Sequence, residues 1–441
     1  MTDTRQAICY NPMGWTSSYW MVEDGTTYAL PAGVSFVPGG GGDPVHPFAG
    51  VLNEQVVKLA AGAAWTTVFP LTIQAFTSPT ATKRWGRVSS HLRYLTAYPA
   101  AERKLLVMDF SQLRLASDGT VNLYLSDVNG NPYLVGSSAA PLPLNAWFQL
   151  ELWMIVRDSA GNALSNYEWL ARWATLAAPP VYSSLARASA NTISTGFSGA
   201  GYYGGLDYVV NLYNGWEDAD APFGVRRADF MRPSTVKGVG HLNQWPGNPA
   251  NVNEVLPDDA TTKDTVTPAA NTPASQLYQF TNPAYVAATD LLSDTVQVGN
   301  DLESPAPGKG ATYSLWPMVS DGVTDALLGV SAPTTGSYVH TLRPAIPPGS
   351  AAGTPWTLAG LQGIQAGAQA ESSDGTTTFA MSTVAISIAY QKAGENGTAL
   401  PPPPPPFGPR ARANRRRPRF SARWQQAGRP GFPYQRPAYL P

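Results

Sequence analysis

Cleaving a glycosidic bond needs two carboxylates flanking it. On one strand they must alternate so as to face the same side. The run Glu151-Leu152-Trp153-Met154-Ile155-Val156-Arg157-Asp158 supplies the first acid. Trp153 stands where the second should be, and Asp158 falls in the following turn. His46, His91, His241 and His340 are far apart and lack zinc-type spacing. There is no nucleophile elbow, and the glycine run Gly39 to Gly42 lacks the Lys-Ser/Thr of a phosphate-binding loop. Asp127, Asn129 and Asn131 carry oxygen donors of the kind calcium takes, but the same residues make an ordinary hairpin turn, which is the reading kept. The expectation is a protein that is not an enzyme and holds no cofactor or metal.

Binding chemistry is better represented. Tyr202, Tyr203 and Trp216 flank the apolar run Leu206 to Tyr213. At strand ends such rings can stack on sugars, so they are the candidate glycan contacts. The C-terminal stretch carries Arg410, Arg412, Arg415, Arg416, Arg417, Arg419, Arg423, Arg429 and Arg436, interleaved with Phe420, Trp424, Phe432, Tyr434 and Tyr439. Guanidinium forks pair with phosphates or carboxylates, and aromatic rings stack on bases. Two partners suit this tail: an acidic protein surface, for which it is an electrostatic anchor, or nucleic acid.

Charge separates this tail from the rest. Residues 401–441 contain nine Arg, no Lys and no acid, which leaves 20 bases against 30 acids in residues 1–400. The single cysteine, Cys9, excludes an intrachain disulfide. No apolar run approaches the roughly 18 residues of a membrane span, and the first residues lack a signal-peptide pattern. No membrane partner is expected.

The elements that must position these groups read as strands. Charged residues are only 13% of the chain, and Gly and Pro number 41 each, with 13 Trp and 20 Tyr, which favours many short strands over long helices. Asp118-Gly119 and Asn129-Gly130 sit between alternating segments, a strong hairpin signal. Trp147 to Val156 places Phe148, Leu150, Leu152 and Met154 on one side. A short helix is expected from Thr357 to Ala366. The expected organisation is an N-terminal segment with a glycine-rich joint (1–60), a β-sandwich (61–240), a loop or linker (241–276), a second β-rich domain (277–395) and a Pro/Arg-rich tail (396–441), disordered beyond the stiff proline run Pro401 to Pro406.

DGTVNLYLSDVNGNPYLVG, WFQLELWMIV and GGLDYVVNLYN make residues 85–215 resemble the concanavalin A-like (laminin G-like) jelly roll. GVRRADFMRPS, QWPGNPANVNEVLPDD, LYQFTNP, PWTLAGLQGIQAG and TVAISIAY make residues 224–392 resemble a segment that follows such a sandwich in tailed-phage virion proteins. The resemblance implies an all-β chain, with a concanavalin A-like sandwich, a second β-sandwich block and a disordered tail. It implies a structural component of a phage particle, such as a tail, fibre or head-surface protein. The expected location is the virion, and the expected partners are other virion proteins, further copies of the same chain and a host surface glycan. The competing reading is the coat protein of a small RNA virus, whose Arg-rich arm binds the genome.

Overall fold

The computed structural model describes residues 6–10, 20–21, 27–28, 32–37, 40–48, 56–67, 85–108, 111–127, 129–158, 160, 162–176, 182–190, 200–218, 225–236, 243–253, 262–281, 286–292, 296–303, 312–328, 338–350, 354 and 356–393. The tail at 401–441, Asp258-Asp259 and His241 lie outside the described residues. The chain is all-β, with antiparallel pairing between strands and one short α-helix among the described residues.

The first sixteen strands are β1 (Gln6–Tyr10), β2 (Trp20–Met21), β3 (Thr27–Tyr28), β4 (Val34–Val37), β5 (Val56–Leu59), β6 (Ala64–Thr67), β7 (Trp85–Leu95), β8 (Arg103–Met108), β9 (Ser111–Leu115), β10 (Val121–Ser126), β11 (Pro132–Ser137), β12 (Trp147–Arg157), β13 (Ala163–Thr175), β14 (Tyr182–Ala190), β15 (Ala200–Tyr203) and β16 (Asp207–Asp218). One sheet runs β14-β13-β12-β7-β16-β5-β4, and β1 joins the far half of β16. The other runs β11-β10-β9-β8-β15-β6. Alternation decides what lies between them, except at the irregularity between Lys104 and Leu106, where Leu105 and Leu106 both join the core. Phe148, Leu150, Leu152 and Met154 of β12 meet Leu105, Leu106 and Met108 of β8, Leu113 and Leu115 of β9, and Leu123 and Leu125 of β10. β16 serves two partners on one edge because Asn211, at φ 52°, breaks its register there. β5 takes Asp207 to Val209, and β1 takes Leu212 to Trp216.

The expected hairpins form at the Asp-Gly and Asn-Gly turns, joining β9 to β10 and β10 to β11. The glycine run, expected as a joint, closes a tight turn in which Gly40 and Asp43 exchange backbone hydrogen bonds of 2.9 and 3.2 Å. The turn delivers the Asp43 carboxylate to Lys58 Nζ and Tyr208 Oη.

The second set comprises β17 (Arg226–Met231), β18 (Pro233–Val236), β19 (Asp264–Val266), β20 (Ala274–Phe280), β21 (Leu291–Leu292), β22 (Val296–Glu303), β23 (Tyr313–Ser320), β24 (Asp325–Leu327), β25 (Tyr338–Ala345), β26 (Gln365–Ser372) and β27 (Phe379–Gln391), with the helix α1 (Leu358–Gly363). One sheet is β17-β27-β22-β25, with β19 and β21 also on β27, and the other is β18-β20-β26-β23-β24. Val298, Leu302, Met381, Val384, Ile386 and Ile388 of the first pack on Tyr278, Leu315, Val319, Ala366, Ala368 and Ala370 of the second. β17 and β18, inside the span expected for the first sandwich, pair with β27 and β20 of the second. Trp245 and Val252, in the segment expected as a connection, are buried in the second core. The helix is shorter than expected. Thr357 caps it by accepting from Gly360 N, but Ile364 is already extended, because Gln365 to Ala370 are claimed by ladders on both sides.

β27 is buried along its whole length. Its inward side chains fill the second core, while Ala389 on the opposite face packs with Val88, Trp153, Ile155, Leu170 and Tyr213 of the first sandwich.

Candidate functional site

The outer face of the β11-β10-β9-β8-β15-β6 sheet gathers the polar and aromatic side chains that the core rejects. Register places them in rows, because residues paired across antiparallel strands share a face. Lys104 pairs with Arg114, Arg114 with Asn122, and Asn122 with Ser137. Beside this row, Gly201 pairs with Val107, Val107 with Gln112, Gln112 with Tyr124, and Tyr124 with Leu134. At about 4.8 Å per strand, five strands give a surface about 19 Å across.

Glu102 organises the centre. Its carboxylate accepts from Asn122 Nδ2 at 2.7 Å, from Tyr124 Oη at 3.1 Å and from Arg114 at 3.4 Å. Arg114 also donates to Gln112 Oε1 at 2.8 Å, and its guanidinium lies 4.3 Å from the Tyr124 ring centroid. Partial burial, and then the bond to Glu102, push the Tyr124 hydroxyl above its ordinary value, so it stays a donor. Asn122 Oδ1 accepts from Ser137 at 2.6 Å. The polar groups are therefore fixed in place before any ligand arrives. Leu134, 52% exposed and paired with Tyr124, adds apolar surface at the β11 edge, while Tyr133, paired with the core residue Leu125, faces the other side.

Tyr203 supplies a platform at the other end. A Cβ on Gly201 would lie 3.0 Å from the Tyr203 ring, so the ring lies over the bare glycine, with Lys104 Nζ 5.4 Å from its centroid. Its sequence neighbour points the other way. Tyr202 is fully buried in the core, edge-on to His91 at 5.0 Å and hydrogen-bonded to Ser89 Oγ. A ring with no exposed face cannot stack on a sugar, which removes Tyr202 from the candidate contacts. Both tyrosines stand on the short strand β15. Trp216 lies on β16, and its side chain is outside the described residues, as are the tail arginines and Trp424.

Behind the platform lies a buried ion cluster. Asp207 accepts from Arg93 at 2.7 Å and from Arg103 at 2.8 and 2.7 Å, with both Arg93 and Asp207 at 0% side-chain exposure. Arg93 also donates to the backbone carbonyls of Leu105 and Tyr203, and its NH1 to His91 Nε2 at 3.3 Å. Burial pulls the Arg93 guanidinium down to about 10 despite the attraction of Asp207, which still leaves it charged at neutral pH. Burial and then the Arg93 charge hold His91 well below the usual imidazole range, so it is neutral.

Glu151, the single acid of the cleavage reading, is also buried. Arg172 Nε, Trp153 Nε1 (3.0 Å) and Gln149 Nε2 donate to it. The residue found in place of a second acid thus solvates the first. Asp127 spends its carboxylate on Asn129 N, Asn131 N and Asn131 Nδ2. Those bonds, Asn131's first, hold it below the ordinary carboxylate range. Among the described residues, no group of three His, Cys, Asp or Glu side chains could hold a metal ion.

Sequence reasoning found Tyr203 but missed Glu102, Lys104, Arg114, Asn122 and Tyr124. For Arg114, Asn122 and Tyr124 the signal was present as the polar positions of DGTVNLYLS and of the strand before it, alternating with leucines.

No family model and no curated protein matches the chain. Several solved structures overlap it at low identity. The CBM40 module of Ruminococcus gnavus IT-sialidase bound to α2,3-sialyllactose is 12% identical, with a TM-score of 0.22, over 37% of this chain and 89% of that one. The tandem CBM22 domain of Paenibacillus barcinonensis Xyn10C is 11% identical, with a TM-score of 0.19, over 89% and 99%. A botulinum neurotoxin type C structure, described as depending on two ganglioside molecules for cell entry, is 8% identical, with a TM-score of 0.25, over 76% and 94%.

Proposed function

We propose that the protein is a non-catalytic, glycan-binding component of a virus particle, and that it binds sugar on the outer face of the β11-β10-β9-β8-β15-β6 sheet. The observation that carries this reading is the Tyr203 ring lying over Gly201, beside Lys104 and in line with the pre-bonded groups of Arg114, Asn122, Glu102 and Tyr124. Sugars present an apolar ring face and paired hydroxyls. A flat aromatic meets the first, and guanidinium, amide and carboxylate forks meet the second. Holding Glu151 on Arg172 and Trp153 supports binding over cleavage. The particle setting rests on the resemblance of residues 85–215 and 224–392, and the arginine tail is its electrostatic anchor to an acidic or polyanionic partner.

The test is binding of the full chain to an immobilised glycan panel, beside Tyr203→Ala and Glu102→Ala. Each substitution is expected to weaken binding at least tenfold, about 1.4 kcal/mol, with the thermal midpoint shifted little because both positions are partly exposed. Unchanged binding by both variants would overturn the site. A wild-type chain that never cosediments with particles would remove the particle half of the proposal and leave the binding half standing.

A further inference from the structure

Resting on the glycan reading above, we infer that this face selects anionic saccharides, whose carboxylate or sulfate sits between Lys104 and Arg114. These two cations stand opposite each other on β8 and β9, about 5 Å apart at Cβ. Like charges in that position repel, so an anion between them is favoured. The acid within reach, Glu102, is shared among Asn122, Tyr124 and Arg114, and Lys104 has no ion pair among the described residues.

The charge behind the face has the same sign. Arg93 and Arg103 divide one carboxylate, and Arg103 immediately precedes Lys104. The neighbourhood therefore holds four cations, Arg93, Arg103, Lys104 and Arg114, against the carboxylates of Asp207 and Glu102. Residues 1–400 as a whole carry 20 bases and 30 acids. A positive patch on a negative body is indifferent to a neutral sugar, but it draws and orients an anion. Gln112 holds the Nε and NH2 side of Arg114 and Glu102 its NH1, so Arg114 offers an anion its remaining N–H hydrogens, and Lys104 Nζ offers the other donors.

The experiment measures full-chain affinity by calorimetry for lactose, sialyllactose and a sulfated lactose, which share a neutral core and differ in the anion. The charged forms are expected to bind at least tenfold tighter than lactose, about 1.4 kcal/mol, with that preference shrinking in high salt. In Lys104→Gln the preference should fall to roughly twofold. The arginine tail is present in both proteins, so its own attraction for anions cancels in the comparison. Preference for one charged form over the other distinguishes a carboxylate site from a sulfate site. Equal binding of lactose and both charged forms overturns anion selection while the glycan reading stands. A preference that Lys104→Gln leaves intact assigns it elsewhere and also overturns the inference. Binding of none of the three by wild type, alongside binding to other neutral glycans on the panel, overturns it too, whereas no binding to any saccharide ends the glycan reading itself.

Discussion

Replacing Asp207 with Asn removes the counter-charge of both Arg93 and Arg103 while keeping the shape. Breaking one partner of a buried pair costs about 3–5 kcal/mol, because the remaining charge stays desolvated. Asp207→Asn should therefore lower the unfolding free energy by that amount, read as a lower urea midpoint with an unchanged denaturant slope. His91 makes a separate prediction. Arg93 can only donate, so Nε2 accepts, and the ring proton sits on Nδ1, which has no partner among the described residues. The folded value lies below the ordinary 6.5. As pH falls through about 6.5, the unfolded chain takes a proton that the folded chain refuses. Stability is then lost at up to about 1.4 kcal/mol per pH unit. His91→Gln should flatten this slope between about pH 6.5 and 4.5, above the range where the depressed carboxylates Asp127 and Asp374 titrate. Midpoints measured across that range decide it, and an equal slope in the variant would refute it. Neither group was legible in the sequence. In WGRVSSHLRYL, alternation suggests that Val88 and Leu92 face the sandwich core, yet Ser89, His91 and Arg93 do, because both faces of β7 are covered.

At the scale of elements, the two hairpin turns were legible because Asp-Gly and Asn-Gly name the positive-φ positions directly. What the turns touch was not. Gly119 has φ +85°, and a Cβ there would lie 2.3 Å from the Tyr98 ring, whose hydroxyl donates to Leu142 O while Leu142 N donates to Gly119 O. Gly130 has φ +82° and nothing within 4 Å of the same position. The pair separates conformational strain from packing. Gly130→Ala should cost only the left-handed penalty, about 1–2 kcal/mol. Gly119→Ala must also displace Tyr98, so about 3 kcal/mol or more is expected. Equal shifts in thermal midpoint for the two variants would show that Tyr98 moves freely. The helix shows the reverse case. Its cap was readable at Thr357, and its end was not, because ladder partners far away in sequence set where Gln365 turns extended.

At the scale of the molecule, antiparallel β architecture and two cores follow from composition and alternation, but the seam between them does not. TVAISIAY reads as one buried face, and only the fold reveals that Ala389 on the opposite face meets Trp153 and Tyr213. Charge, by contrast, is fully legible: residues 1–400 carry 20 bases and 30 acids, and residues 401–441 carry nine Arg and no acid. Nine guanidiniums that engage a polyanionic or acidic partner release counterions or screen steeply, so association through them must weaken with salt. Removing residues 401–441 should leave the unfolding free energy of the remainder, from urea titration, within about 0.5 kcal/mol of the full chain, since the 1–400 unit has its own cores. The same deletion should abolish any assembly that high salt dissolves, read as mass by light scattering at low and high salt. If an assembly instead survives both salt and deletion, its contacts lie on the sheets and the tail is not the anchor. If the full chain carries nucleic acid that the truncated chain lacks, the tail's partner is phosphate, and the genome-binding coat reading replaces the anchor.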